Sequence, residues 1–221
     1  MVDDFSGPAG SPPNPTVWGY VTGHNWDRGV QAYRSSNAVL DGQGNLAISA
    51  VRSGDGFSSG RVQTKDKLSL GYGKTTARIK MPAGQGLWPA FWMLGVDGGL
   101  GEIDIVELVS DPSTYYATIH GPGGGSKPYQ VQFTGSVGNL STGFHDYWVT
   151  HAPDVITVGI DGTTIGTFTP RSLPEGARWV FNQPTYAILN LAVGGSWAGP
   201  PDASTPFPAT MLVDWFRWDP L

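Results

Sequence analysis

Apolar and polar residues alternate in short runs along most of this chain. The first are Asn45–Val51 (NLAISAV), Thr75–Met81 (TTARIKM), Phe91–Leu94, Glu102–Leu108, Tyr116–His120 and Gln130–Thr134. Others follow at Asp146–His151, Val155–Ile160, Thr164–Thr169, Tyr186–Ala192 and Met211–Trp218. A strand sends successive side chains to opposite faces, so a period of two predicts β-strands with one buried face. Glycine or proline interrupts nearly every window of helical length, which discourages helix interiors. Arg171–Ala177 (RSLPEGA) is expected to form a short helical turn at most. Asp161-Gly162, between VITVGI and TTIGTF, predicts a tight hairpin, since Asp-Gly suits a primed two-residue turn.

Many short strands without alternating helices predict an all-β sandwich or barrel. No low-complexity linker and no internal repeat divides the chain, so residues 1–221 are expected to form a single domain. The proline-rich segment FSGPAGSPPNP is expected to run as an extended strap over the surface.

Composition narrows the function. Nine tryptophans and an aromatic share of 12%, beside only 14% charged residues, suggest a surface that stacks on something flat and neutral. A net charge of −5 and scattered lysines and arginines argue against nucleic acid as a partner. No stretch approaches the roughly 20 apolar residues that span a bilayer. With no cysteine, neither redox compartment is excluded. Few charges with much Gly, Ser, Thr and Pro fit a secreted protein. If it is exported, its signal lies outside this chain. Nothing demands more than a monomer.

The most strand-like segment, GEIDIVEL at residues 101–108, carries three acids. In a regular strand Glu102 and Asp104 share a face while Glu107 points away. A β-bulge at Ile105 or Val106 would return Glu107 to their face. The outer Cα atoms would then lie about 13 Å apart. Two glutamates leaning inward could bring their carboxyls to about 5–5.5 Å, the separation of a retaining glycosidase. The shorter aspartate fits between them, where its charge would raise the pKa of a neighbouring acid. Such chemistry calls for no cofactor. Three acids in a strand also suit a solvated sheet face, a metal site or a protected edge.

Upstream stands GLWPAFWML, where the four-residue spacing of Trp88 and Trp92 puts both indoles on one strand face. Tryptophan stacks on the flat C–H faces of sugars and can donate to a hydroxyl, although a core pair would look the same. The turn VDGGLG separates this segment from the acids, so an antiparallel hairpin would set both tryptophans beside the acidic row.

GLWPAFWML followed by GEIDIVEL resembles family 16 of the glycoside hydrolases, in particular its bacterial laminarinase-like branch. The likeness continues through SGRVQTKDKLSLGYGKTTARIKMP, ATIHGPG, ILNLAVGGSWAG and MLVDWFRW, in the family's order. It implies a β-jelly roll sandwich of two curved antiparallel sheets with a concave substrate cleft. It also implies endo-hydrolysis of a β-1,3-linked glucan with retention. On matching positions Glu102 becomes the nucleophile, Glu107 the acid/base and Asp104 the assisting carboxylate. Trp88 and Trp92 would line subsites on the nonreducing side, His120 would sit near the catalytic centre, and Arg61 and Trp197 would contact substrate. The resemblance further implies a structural calcium held by Asp214 with backbone oxygens from the Gly44 hairpin and the strap near Asp4. Oxygen-only ligation suits that ion, which would fasten the strap to the sheet.

The chain departs from the family at NWDRGVQAY, residues 25–33, where relatives carry paired asparagines that help bind sugar. Asn25 and Arg28 match them only loosely, which leaves subsite preference open. Ser196 stands where asparagine is commoner, and His151 where tryptophan is commoner; His151 and His145 are read as structural. The rival readings are a same-fold hydrolase of galactan, agar, carrageenan or mixed-linkage glucan, a non-catalytic glucan-binding protein, and a lectin-like sandwich whose acids bind metal.

Overall fold

The computed structural model describes residues 1–24, 29–98, 100–123 and 127–221. The N-terminal strands are β1 (Val2–Asp3), β2 (Gly19–Tyr20), β3 (Gly23–His24), β4 (Gln31–Tyr33), β5 (Ala38–Leu40), β6 (Leu46–Ser53), β7 (Gly56–Ser59) and β8 (Arg61–Gln63). Longer strands follow: β9 (Gly73–Lys80), β10 (Leu87–Gly95), β11 (Glu102–Leu108), β12 (Tyr115–Pro122) and β13 (Pro128–Gly135). The last are β14 (His145–Ala152), β15 (Val155–Ile160), β16 (Thr163–Phe168), β17 (Thr185–Val193) and β18 (Ala209–Pro220), with one helical turn, α1 (Gly195–Ala198), between β17 and β18.

These strands build a β-jelly roll of two sheets. Among the described residues one sheet has eleven strands in the order β16-β15-β14-β9-β18-β6-β7-β4-β3, with β1 on β18 and β5 on β6. The other has seven, in the order β13-β12-β11-β10-β17-β8-β2. Neighbours run antiparallel except β4 beside β7. Alternation decides which side chains meet between the sheets. From β6 come Leu46, Ile48 and Ala50, from β14 Tyr147 and Val149, and from β10 Phe91 and Met93, all within one buried cluster.

Every longer run read as a strand is one, usually extended by a residue or two. The largest extension is β10, which begins at Leu87 and runs through Pro89. A proline cannot donate to a ladder. Pro89 is tolerated because pairing with β11 ends at Ala90↔Glu107, one residue short of it. The short strands of residues 1–63 were not legible, since two or three residues carry no readable period. Asp161 takes φ 52 in the predicted hairpin, whose strands pair through Ile160↔Thr163. RSLPEGA contributes only to a 3₁₀ turn, Pro170–Ser172.

The strap lies where expected, pinned along β5 by Gly10 N to Leu40 O (2.8 Å) and Leu40 N to Ser11 O (2.8 Å). Phe5 is 1% exposed and Trp18 3%, and the Trp18 Nε1–H donates to Asp3 Oδ2 at 2.9 Å. Burying a phenylalanine stabilises by about 1.5–3 kcal/mol, enough to offset the ordering of only one or two backbone residues. The hydrogen bonds and the second aromatic are therefore needed to hold so long a segment down.

Candidate active site

Strand β11 carries the predicted bulge. Against β12, Asp104 pairs with Thr118 and Glu107 with Tyr116, so Ile105 and Val106 together face one residue. Against β10, Trp92 pairs with Asp104 and Phe91 with Val106, skipping Ile105. Ile105 and Val106 are both fully buried, and this apolar pair holds the bulge in place. Gly101, at φ 81, turns the chain into β11 in a conformation other residues avoid.

The outcome is one row of acids. Glu102, Asp104 and Glu107 all line a cavity of about 510 Å³ on the seven-stranded sheet, together with Trp88, Trp92 and His120. The hairpin of β10 and β11 sets the two tryptophans beside the acids, and His120 lies directly across from Glu102 in the β11–β12 register. His120 Nε2 is 3.1 Å from Asp104 Oδ2 and 3.8 Å from Glu102 Oε1, so one imidazole touches two of the three carboxylates.

The acids sit in different surroundings. The Glu102 side chain is 35% exposed, whereas Asp104 is 3% and Glu107 8% exposed. Burial pushes the Glu107 carboxyl well above the usual carboxylate range, and the charge of Asp104 adds to this. An N–H from Trp88 works against the rise. The row thus holds one carboxyl in reach of solvent and another that binds its proton tightly. That is the division of labour that acid-assisted displacement at an acetal needs.

The tryptophans do more than present flat faces. Trp88 Nε1–H donates to Glu107 Oε1 at 2.7 Å, and Trp92 Nε1–H donates to Asn190 Oδ1 at 2.7 Å. Trp197, on α1, is 43% exposed and stands edge-on to Trp88 and Tyr116, with centroids 5.1 and 4.7 Å away. Arg61 lies behind Trp92, its guanidinium 4.8 Å from the ring centroid. Its Nε and Nη1 are buried without a hydrogen-bond partner. Arg61 is only 7% exposed, so these are unmet donors beside the cavity wall.

Asn25 and Arg28 lie outside the described residues. Sequence reasoning missed Tyr116, Thr118, Gln130, Gln132 and Asn190, the other polar side chains of the lining. Two signals could have found them. Tyr116 and Thr118 alternate with His120 on one strand face, and Asn190 is the lone amide in the otherwise apolar run AILNLAV. His151 is structural as expected: burial pushes its pKa down, and its Nε2 meets Phe181 O at 2.6 Å.

The residues nominated for calcium lie on the other sheet. Val213 pairs with Leu46 and Phe216 with Asp3, which brings Asp214 to the ends of β6 and β1. A register shift between Val213 and Trp215 lifts Asp214 out of the ladder with β9. Gly44 faces the Asp4 carbonyl, since a Cβ on it would lie 4.0 Å from that oxygen. Arg78 Nε holds Asp214 Oδ2 at 3.1 Å. A carboxylate joined by backbone oxygens of the Gly44 hairpin and Asp4 would be the all-oxygen donor set that calcium takes, but here Asp214 already meets the Arg78 guanidinium.

A jelly roll with a bulged row of three acids facing tryptophans is the framework of a carbohydrate-cleaving enzyme. The sequence pattern of glycosyl hydrolases family 16 matches residues 25–217, and the chain belongs to that family; it is a glycoside hydrolase. It is 35% identical over 240 residues to a beta-glucanase of Rhodothermus marinus, covering 93% of this chain and 81% of that one. It is 33% identical to glucan endo-1,3-beta-glucosidase A1 of Niallia circulans, covering 97% of this chain but only 36% of that longer protein. Among solved structures, the endo-beta-1,3-glucanase of Pyrococcus furiosus superposes with a TM-score of 0.86 at 36% identity, over 100% of this chain and 94% of that one.

Proposed function

We propose that this chain is an endo-acting, retaining hydrolase of β-1,3-glucan. The observation that carries the mechanism is the bulge that brings Glu102, Asp104 and Glu107 to one face, with Glu107 buried and Glu102 open to the cavity. Glu102 attacks the anomeric carbon while Glu107 protonates the leaving oxygen. Glu107 then takes a proton from water, which attacks the glycosyl–enzyme ester and frees Glu102 with retained configuration. Asp104 keeps the proton on Glu107 through its charge, and His120 ties Asp104 to Glu102. These carboxylates suffice for both steps.

The β-1,3 linkage rests on the relatives, two of which are named for it. Trp88, Trp92 and Trp197 offer flat faces to glucose rings. Gln130, Gln132 and Asn190 in the lining suit hydroxyls rather than charged substituents, while Arg61 stands behind Trp92 outside the lining. A polymer of this kind is met outside the cell, which fits an exported enzyme. Calcium held by Asp214, the Gly44 hairpin and the strap near Asp4 would stabilise the sandwich without entering the chemistry.

The test is release of reducing ends from laminarin, lichenan, agar and galactan, with the first-formed anomer followed by NMR. Laminarin should be cleaved fastest, giving the β-anomer first. Release from agar or galactan alone overturns the substrate, an initial α-anomer overturns the mechanism, and binding without cleavage overturns the enzyme.

A further inference from the structure

Trp88 has a position that a platform for sugar does not require. Its indole N–H points along the sheet at Glu107 Oε1, 2.7 Å away, instead of into the open cavity. Trp197 abuts it edge-on at an interplanar angle of 86°, which limits rotation of the ring. Pairing of Trp88 with Ala192 on β17 anchors the backbone beneath it. Glu107 is 8% exposed, so one of its two oxygens is taken by this donor in a setting nearly closed to water.

We infer that Trp88 is a positioning residue for the proton-carrying carboxyl of Glu107. It holds Oε1 in both protonation states and so reserves Oε2 to bear and deliver the proton. The inference rests on Glu107 being the acid/base. In the first step Oε2–H gives its proton to the glycosidic oxygen, and the indole N–H stabilises the carboxylate left behind. In the second, that carboxylate accepts a proton from water through Oε2, and the N–H bond weakens as the charge disappears. A hydrogen bond to an ionised group strengthens with its charge, so Trp88 acts where charge develops.

Among the described residues the titratable groups around Glu107 are Asp104 and Glu102 on its own strand, with His120 and Tyr116 on β12. Ala90 on β10 and Trp197 on α1 carry no proton that titrates. Trp88 therefore supplies a neutral donor that opposes burial and the two negative neighbours.

The experiment is the pH profile of Trp88→Phe on laminarin, with its melting temperature and its affinity for a laminari-oligosaccharide as controls. Without the N–H, the pKa of Glu107 rises further, so the alkaline limb of kcat/KM should move to higher pH. At the optimum kcat should fall about 10- to 100-fold with KM little changed, the loss expected of a hydrogen bond to a charged group. On a dinitrophenyl laminari-oligosaccharide, whose leaving group needs no protonation, most of the loss in kcat/KM should vanish. A raised KM with unchanged kcat and an unmoved alkaline limb would make Trp88 a stacking platform only and overturn the inference.

If Trp88→Phe does not fold, the wild-type indole ¹⁵N–¹H signal of Trp88 is titrated instead. It should shift with the apparent pKa of the alkaline limb and stay fixed in Glu107→Gln; a signal flat in both overturns the inference. Wild-type protein inactive on every polysaccharide would sink the assignment of Glu107 itself. An active wild type with an unmoved limb in Trp88→Phe sinks the role of Trp88 alone.

Discussion

Acids on the two sheets are treated in opposite ways. On the eleven-stranded sheet Asp146, Asp214 and Asp161 each have a basic side chain at hand. Arg78 bridges Asp146 and Asp214, with 3.1 Å contacts to both, and His145 Nδ1 lies 2.8 Å from Asp161 Oδ2. Burial pushes the Asp161 carboxyl up, but hydrogen bonds from His145 and from the Asp146 amide outweigh it and bring its pKa below the usual value. In the cleft, three acids share one strand, and the imidazole of His120 touches only two of them. Paired, half-exposed charges contribute little and cost little. Like charges gathered in a partly buried row cost stability, and such rows persist where chemistry needs shifted pKa values. Charge left unbalanced is what separates the site from the surface.

Four changes break or sharpen this contrast. The largest effect belongs to Glu102→Gln, which should abolish laminarin turnover while leaving oligosaccharide binding intact. Turnover near the wild-type rate would remove Glu102 from the nucleophile role. Next, Glu107→Gln should lower kcat on laminarin by about 10²- to 10⁴-fold. It should also be stabilising, with a pH dependence of definite sign. The folded pKa of Glu107 lies above its ordinary value of 4.5, so the native state holds a proton that the unfolded chain has released. The stability from this difference is whole below the unfolded value and is lost as pH rises through the folded one. The melting temperature of Glu107→Gln relative to wild type should therefore climb as pH rises from the ordinary value of 4.5 through the raised folded one. A constant gap would show that Glu107 carries no raised pKa.

On the outer sheet the effects are smaller and fall on stability alone. If calcium joins Asp214 to the strap, a hundredfold excess of the ion over its Kd adds about 2.7 kcal/mol. For a chain of this length that is a rise of about 5–10 °C in Tm, reversed by chelator and absent in Asp214→Asn. A melting temperature indifferent to calcium would refute the site. Smallest of all, Asp146→Asn should shift Tm by less than about 3 °C and leave kcat unchanged. A larger shift would mean that the Arg78 pairs are more than surface charge balance.

Much of the cleft was legible because a strand's period of two is a local property. Glu102, Asp104 and the pair Trp88 and Trp92 could be put on their faces from spacing alone, and Glu107 joined them once a bulge was allowed. The hairpin was legible too, since a six-residue turn leaves few other ways to pair β10 with β11. Asn190 was harder, because its partner lies far away in the chain. Trp92 reaches Asn190 across 98 residues. The short strands β1 to β5 form because neighbouring edges offer unpaired backbone, and nothing in two or three residues announces that.

Alternation, the glycine and proline punctuation, and the order of long and short acids in GEIDIVEL are contained in the chain itself. They determined an all-β sandwich or barrel, with Glu102 and Asp104 on one strand face and Glu107 joining them only through a bulge. Tertiary structure alone decided which acid is buried, which tryptophan N–H meets Glu107, and which arginine keeps donors without a partner. The reason is physical. A side chain's face follows from its own backbone, whereas its pKa and its hydrogen bonds depend on what other strands bring across the sheet.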